Sequence, residues 1–107
     1  MADFSLNDLA RIVAERAASG SAESYTVRLL GAGRSGCARK FGEEAVEAIV
    51  AALEDDPDAL AAEAADVLYH LLVLLRAANV PLERVMTELA ARTKQGGLAE
   101  KASRSAT

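Results

Sequence analysis

The stretch from Lys40 to His70 reads KFGEEAVEAIVAALEDDPDALAAEAADVLYH and contains two acidic pairs. Glu44 and Glu47 form the first pair, and Glu63 and Asp66 form the second. Each pair has i, i+3 spacing, which places its two side chains on one face of a helix. An acidic turn with one proline separates the two helical patterns. Because helices joined by a short turn pack antiparallel, the sequence predicts that both pairs meet at one helix–helix seam.

Carboxylates that converge in this way repel one another unless a positive charge lies between them. The second pair has no Lys or Arg at i±3 or i±4, and Arg76 is the only basic residue between Asp58 and Ala78. Carboxylate oxygens are the ligands that Mg²⁺ and Mn²⁺ prefer. The pattern therefore indicates a metal site. The alternative is that the acids are solvated faces of surface helices, since a single Glu-x-x-Glu is common.

The composition indicates one small all-α domain, residues 1–107, with a flexible tail at 98–107. The chain has 107 residues, of which 51% are hydrophobic, 4% are aromatic and two are proline. Alanine and leucine favour helices, so we expect an antiparallel bundle of four to five helices. The helix that contains Val67–Leu75 is apolar on all sides. We therefore expect a homodimer that completes the core, because a small domain buries little apolar surface alone.

The charge balance and the single cysteine exclude several classes of protein. The net charge is −4, so no basic footprint for nucleic acid is present. Cys37 has no internal disulfide partner, which fits a reducing compartment. The start of the chain lacks a secretion-signal pattern. The longest apolar run has about nine residues, against roughly twenty for a membrane span. We expect a cytoplasmic protein without a membrane or nucleic-acid partner.

Capping signals mark the predicted helices. Ser5 and Asp8 form a near capping box for the first helix, which Gly20 ends. A short second helix follows, capped by Ser24 or a neighbour. Pro57 fits the first position of the fourth helix, with Asp56 as its cap. The predicted inward side of the third helix is Ala38, Phe41, Ala45, Ala48, Ile49, Ala52 and Leu53, and that of the fifth is Val85, Met86, Leu89 and Ala90, with Met86 in the core.

The segment Gly31–Gly36 is predicted to be a flexible, glycine-rich loop before a third helix that starts at about Gly36. Three glycines near a helix start are also found in phosphate-binding loops. The spacing matches neither the dinucleotide-binding nor the P-loop pattern. A plain turn is therefore the favoured interpretation.

Two residues near the acids have both a structural and a functional interpretation. His70 follows Asp66 by four residues and shares its helix face; it is either a satisfied core histidine or a group that orients a carboxylate or binds substrate. Lys40 precedes Glu44 by four residues and forms either a surface ion pair or a phosphate contact. A metal held by carboxylates beside such cations suits hydrolysis of a phosphoanhydride.

Four blocks of sequence resemble the all-α, MazG-like nucleoside-triphosphate pyrophosphohydrolase superfamily and, more narrowly, the phosphoribosyl-ATP pyrophosphohydrolase family of histidine biosynthesis. The acidic signature carries the resemblance to the superfamily, and the other features narrow it. The blocks are Ser24-Tyr25-Thr26-x-Arg28-Leu29-Leu30, Lys40-Phe41-Gly42-Glu43-Glu44-Ala45-Val46-Glu47, Glu63–Leu75 with its Tyr69-His70 pair, and Glu100-Lys101-Ala102-Ser103-Arg104.

This resemblance implies a Mg²⁺-dependent enzyme, with Mn²⁺ as an alternative ion, that converts phosphoribosyl-ATP to phosphoribosyl-AMP and pyrophosphate. It implies a stand-alone form, because the chain lacks the zinc ligands of the cyclohydrolase that follows in the pathway. The implied metal ligands are Glu44, Glu47, Glu63 and Asp66. The implied catalytic carboxylates, among which the general base is not assigned, are Glu43, Glu44 and Glu47. The implied substrate contacts are Tyr25, Arg28, Lys40, His70, Lys94 and Lys101.

Two other functions stay open from the residues alone. A housekeeping pyrophosphatase for ordinary or damaged nucleotides would use the same metal site, although base recognition often involves stacking and this chain has few aromatic residues. A non-catalytic helical dimerisation module would leave the acids solvated. Metal-dependent activity separates the second alternative from both enzymes.

Overall fold

The computed structural model describes residues 3–95, which form five helices and no strand. The predicted all-α fold is confirmed. The longest helices, the third and fourth, make the most extensive contact and form a hairpin closed by a three-residue turn. The helices are α1 (Leu6–Ser19), α2 (Tyr25–Gly31), α3 (Gly33–Leu53), α4 (Pro57–Ala77) and α5 (Leu82–Gln95).

Three helices begin at the predicted capping residues. The Ser5 hydroxyl accepts from the backbone N–H of Asp8, and the Asp8 carboxylate accepts from the N–H of Ser5, which completes a capping box on α1. Ser24 caps α2 through the N–H of Val27. Asp56 caps α4, whose first residue is Pro57. These side chains satisfy backbone donors that have no partner inside the helix.

The predicted glycine-rich loop at Gly31–Gly36 is wrong. Helix α2 continues to Gly31 and α3 begins at Gly33, three residues before the predicted start. Gly33 has a φ of 77°, which is favourable only for glycine, and it turns the chain between the two helices. A Cβ on Gly36 would lie 2.5 Å from the Cβ of Ala32. These glycines therefore serve a tight helix–helix junction, and the plain-turn interpretation of the spacing was nearer the structure than a phosphate loop.

A small apolar core joins α1, α3, α4 and the start of α5. It consists of Val13, Cys37, Leu72, Val73 and Leu82, all buried. The thiol of Cys37 donates to the carbonyl of Leu29 at 3.2 Å, which ties α3 to α2. Burial raises the pKa of this thiol. The core positions α2 against the α3–α4 hairpin.

Two predicted inward stripes are partly exposed. On α3, Ile49 and Leu53 are 57% and 82% exposed, and Val46 and Val50 lie exposed beside them. On α5, Met86 is 41% exposed and is not a core residue as predicted. The 3.6-residue period identified apolar faces correctly, but it did not reveal which faces this chain covers by itself.

No helix in residues 3–95 is long and apolar enough to cross a membrane. The predicted flexible tail, 98–107, lies outside the described residues.

The capping box on α1 gives a pH-dependent test. The hydrogen bonds from the Ser5 N–H and hydroxyl, with Arg11 nearby, lower the pKa of Asp8 despite some desolvation. A lowered folded-state pKa stabilises the fold above the ordinary carboxyl pKa, and this contribution is lost as pH falls through the folded-state pKa. Asp8→Asn should therefore lower Tm at pH 7, with a difference from wild type that shrinks in acid. Ser5→Ala should cost about 1 kcal/mol.

Asp3→Asn is the matched control, because Asp3 is exposed and precedes the helix. Equal Tm losses for the Asp3 and Asp8 variants at pH 7 would contradict the capping box.

Candidate metal centre

Helices α3 and α4 bring three carboxylates together across their seam. Glu44 of α3 and Glu63 and Asp66 of α4 each offer an oxygen atom, and the three oxygens lie within 4.8 Å of one another. The sequence predicted this convergence from two i, i+3 pairs and a short turn. The set is called the carboxylate cluster below.

Glu44 is buried, Glu63 is partly buried and Asp66 is exposed, so the inner part of the cluster is electrostatically costly without a cation. Glu44 is only 8% exposed, and the Oε2 atom of Glu63 is buried without a hydrogen-bond partner among the described residues. Among residues 3–95, one ion pair involves the cluster, between Lys40 Nζ and Glu44 Oε1 at 3.4 Å. Because several hard oxygen donors converge and one has no partner, the residues fit a divalent cation such as Mg²⁺.

Glu47 lies at the edge of the cluster rather than in the set of three converging oxygens. Its carboxyl group hydrogen-bonds that of Glu44, and this contact, with the charges of Glu44 and Glu63 and some desolvation, raises the pKa of Glu47. Burial pushes the pKa of Glu44 upward, but hydrogen bonds from Glu47 and Lys40 and electrostatic interactions with the nearby His70 and Lys40 side chains outweigh it, so the pKa is lowered. As pH falls, Glu47 therefore takes up a proton before Glu44 does.

His70 connects α4 to Tyr25 of α2. The ring is buried, with Nδ1 at 2.7 Å from the carbonyl oxygen of Asp66 and Nε2 at 3.0 Å from the Tyr25 hydroxyl. A carbonyl only accepts, so Nδ1 carries a proton; in the neutral ring Nε2 then accepts from Tyr25. Burial, together with Glu44 and Asp66, raises the pKa of Tyr25 against the opposing charge of Lys40. The phenol therefore stays a donor.

His70 and Asp66 lie on the same helix face, as predicted, but His70 contacts the backbone of Asp66. The imidazole contacts the carbonyl oxygen of Asp66 rather than its carboxylate. His70 is both a satisfied buried histidine and a neighbour of the carboxylate cluster, so the two interpretations of the sequence do not exclude each other.

Tyr69 and Thr26 complete this network, and the sequence reasoning gave neither a role. The Tyr69 ring stacks on Tyr25 with centroids 6.1 Å apart, and its hydroxyl hydrogen-bonds that of Thr26. Thr26 is fully buried. The sequence shows hydroxyl-bearing residues in two separate dipeptides, Tyr25-Thr26 and Tyr69-His70. Because the dipeptides lie on different helices, no helical spacing predicts that they meet.

The other predicted site residues lie further out. Glu43 is exposed and pairs with Arg39 at 4.0 Å. Arg28 and Lys94 are exposed on α2 and near the end of α5, respectively. Lys101 lies outside the described residues.

A cavity away from the carboxylate cluster lies at the other end of α4. About 410 Å³ in volume, it lies where α1, the end of α4 and the start of α5 meet, and its lining includes Val13, Arg76 and Leu82 but none of the clustered acids. The converging carboxylates, rather than a cavity, identify the carboxylate cluster as the candidate site. Phosphate oxygens and a metal ion can meet on an open surface.

Fold and site together define the class of the protein: an all-α chain whose helical hairpin carries a carboxylate cluster able to hold a metal ion. Residues 6–93 match the model of the family described as phosphoribosyl-ATP pyrophosphohydrolase. The chain belongs to this family.

Curated relatives named phosphoribosyl-ATP pyrophosphatase resemble the chain over nearly its full length. The relative from Agrobacterium fabrum is 58% identical over 104 residues, which cover 97% of each chain. The relative from Methylobacterium nodulans is also 58% identical, with the same coverage. The relative from Rhizobium johnstonii is 56% identical over 97% of each chain. The resemblance inferred from the four sequence blocks is confirmed.

The raised pKa of Glu47 gives a second test, made on metal-free protein. Because the folded state holds the Glu47 proton more tightly than the unfolded chain, the free energy of unfolding falls as pH rises from the ordinary carboxyl pKa of 4.5 through the raised folded-state pKa. Glu47→Gln removes this loss and keeps a donor to Glu44. Its Tm at pH 7 should equal or exceed that of wild type, and the difference should disappear near pH 4.

Glu43→Gln is the control, since Glu43 is the adjacent acid but faces Arg39. It should lower Tm slightly or leave it unchanged. A sharp fall in Tm for Glu47→Gln alone would mean that Glu47 makes a stabilising ion pair instead.

Proposed function

We propose that this chain hydrolyses phosphoribosyl-ATP to phosphoribosyl-AMP and pyrophosphate, the second step of histidine biosynthesis, at a Mg²⁺ site on the carboxylate cluster. Membership of the family makes the chain a phosphoanhydride hydrolase. The observation that carries the proposed site is the convergence of three carboxylate oxygens within 4.8 Å. Mn²⁺ has the same ligand preference and is the alternative ion.

In this proposal Glu44, Glu63 and Asp66 hold the cation. The buried, unpartnered Oε2 of Glu63 supports this assignment, because a ligand would satisfy it. Glu47, exposed at the edge of the cluster, is either a fourth ligand or the carboxylate that orients the attacking water. When bound, the cation would neutralise charge on phosphate oxygens and so lower the barrier to attack of water at phosphorus and departure of pyrophosphate.

Several cations and polar groups around the cluster are proposed to bind the substrate. Lys40 lies beside Glu44 and is partly exposed, so its ammonium group can also reach a phosphate. Tyr25 is 43% exposed, which leaves a surface for substrate next to the cluster. His70 acts through its bond to Tyr25. Arg28, Lys94 and Lys101 complete the proposed set, and the last of these rests on the resemblance alone.

Glu43 is the least supported of the three proposed catalytic carboxylates. It is exposed, and its carboxylate pairs with Arg39 rather than joining the cluster. The general base therefore lies between Glu44 and Glu47. Glu44 is buried and already bonded to Lys40, whereas Glu47 faces water at the edge of the cluster. This exposure favours Glu47 as the group that meets the attacking water.

Substrate choice is the first experiment. Phosphoribosyl-ATP carries a phosphate remote from its triphosphate, and charge-assisted contacts are worth about 1.5–3 kcal/mol each. Two such contacts predict a preference in kcat/KM over ATP of roughly a hundredfold or more. Pyrophosphate release should be measured for both substrates with Mg²⁺ and after chelation. Equal rates on ATP would favour the housekeeping pyrophosphatase, and metal-independent rates would contradict the site.

Ligand variants provide the control for that assay. Glu63→Gln and Asp66→Asn should each lower turnover by about a hundredfold or more and weaken Mn²⁺ binding measured by calorimetry. Glu83→Gln removes an exposed acid at the start of α5, away from the cluster, and should leave both unchanged. A protein without pyrophosphatase activity on any nucleotide would favour the non-catalytic dimerisation module.

We further propose a homodimer that covers the exposed apolar face of the hairpin. On α3, the exposed residues Val46, Ile49, Val50 and Leu53 have the i, i+3, i+4, i+7 spacing of one helix face, and Leu60 and Leu68 are exposed on α4. The Cα radius of gyration is 15.9 Å, whereas a compact domain of about 100 residues has about 13 Å. An open helical pair with a large apolar face is typical of a chain that packs against a second copy. The unpaired Cys37 suits a cytoplasmic location.

Introducing charge at the centre of this face tests the dimer. Ile49→Asp should shift the mass in light scattering from dimer to monomer, because an unpaired carboxylate would be buried at the interface. Phe4→Asp is the matched control, since Phe4 is 67% exposed near the start of the chain. A stable wild-type monomer at micromolar concentration would contradict the dimer.

A further inference from the structure

A hydroxyl pair ties α2 to α4 at a buried point behind the proposed site. Thr26 has no exposed surface, and its Oγ1 atom hydrogen-bonds the hydroxyl of Tyr69. A buried hydroxyl without a partner costs free energy. The bond between Thr26 and Tyr69 avoids this cost for both groups. The bond fixes the end of the Tyr69 ring relative to α2.

The fixed Tyr69 ring packs against Tyr25, which is proposed to face the substrate, and against His70, which acts through its bond to Tyr25. It stacks on Tyr25 with an interplanar angle of 16°. It meets His70 edge-on, with centroids 5.2 Å apart and an interplanar angle of 88°. Tyr25 and His70 themselves meet edge-on at 5.8 Å. Offset-stacked and edge-to-face arrangements are the favoured geometries of aromatic pairs, so the three rings restrain one another.

The restraint reaches the carboxylate cluster through two hydrogen bonds. Tyr25 donates to Nε2 of His70, and Nδ1 of His70 donates to the carbonyl of Asp66. The network therefore begins at a buried threonine on α2 and ends on the backbone of a clustered residue on α4. A shift of Tyr69 would move Tyr25, which is bonded at one end and stacked along its face.

We propose that Thr26 and Tyr69 are positioning residues for the hydrolysis, which hold Tyr25 and His70 in the orientation that the substrate requires. The proposal rests on the proposed function. In this proposal Tyr25 contacts the substrate. The hydroxyl groups of Thr26 and Tyr69 do not touch the substrate and hold the Tyr25 ring in place. The competing role is that of a purely structural link between α2 and α4.

Two substitutions at Thr26 separate the hydroxyl from the side-chain shape. Thr26→Val keeps the shape and removes the hydroxyl, and Thr26→Ser keeps the hydroxyl and removes a methyl group. We expect kcat/KM for phosphoribosyl-ATP to fall roughly tenfold in Thr26→Val, since small misplacements of a contacting group are costly, and to stay within about twofold of wild type in Thr26→Ser. Thr87→Val, at an exposed position on α5, controls for the substitution type.

Epistasis distinguishes positioning from a structural role. If Thr26 acts through Tyr25, Thr26→Val should cost less than about twofold when Tyr25→Phe is already present, because coupled residues do not have additive effects. A structural link would give the same tenfold loss in both backgrounds. All variants are compared well below their measured Tm, so that unfolding does not contribute.

A readout without turnover uses the His70 ring in metal-free protein. Nitrogen-15 spectra of wild type should show a protonated Nδ1 and an Nε2 that accepts a hydrogen bond. Thr26→Val should move the Nε2 resonance toward its position in Tyr25→Phe, and Thr26→Ser should not. An unmoved resonance in Thr26→Val, or additive losses in turnover, would overturn the proposal.

Wild-type activity separates the two possible failures. A wild-type chain that releases no pyrophosphate from phosphoribosyl-ATP would overturn the proposed function itself. An active wild type with a fully active Thr26→Val variant would overturn only the positioning role.

Discussion

The structure depends on the convergence of like charges at the α3–α4 seam. Apolar packing holds the two helices together, and the same register brings carboxylate oxygens of Glu44, Glu63 and Asp66 within 4.8 Å of one another. Lys40 relieves part of the repulsion through its ion pair with Glu44. The remainder is electrostatic free energy that a divalent cation can recover on binding, which links the stability of the hairpin to its proposed chemistry.

The remaining helices serve this hairpin in different ways. Helix α2 is held by Thr26, whose hydroxyl meets Tyr69 of α4, and by Leu29, whose carbonyl accepts from the thiol of α3. It thereby brings Tyr25 beside the cluster. Helix α1 and the start of α5 close the small core around Val13 and Leu82. Val46, Ile49, Val50 and Leu53 of α3 are left exposed, so one pair of helices carries both the proposed metal site and the proposed interface.

The predictions that were wrong, for the apolar stripes and for the glycine-rich loop, depend on how helices pack against one another. Helical periodicity reports that Ile49, Leu53 and Met86 belong to apolar faces, but whether a face is covered depends on which elements pack against it. The glycines at 31–36 were interpreted as a loop because glycine disfavours helices. Here Gly33 turns the chain, and Gly36 allows a close approach to Ala32. Both are requirements of two helices meeting, which no local pattern expresses.

The sequence by itself determined the helical class, the capping residues and the two acidic pairs, because capping and i, i+3 spacing are local properties of the chain. It also identified the family, through blocks whose residues are specific. Only the tertiary structure decided that His70 bonds the backbone of Asp66, that Glu47 stands at the edge of the cluster, and that Thr26 meets Tyr69. These contacts join residues on different helices or depend on side-chain direction, and packing rather than spacing fixes them.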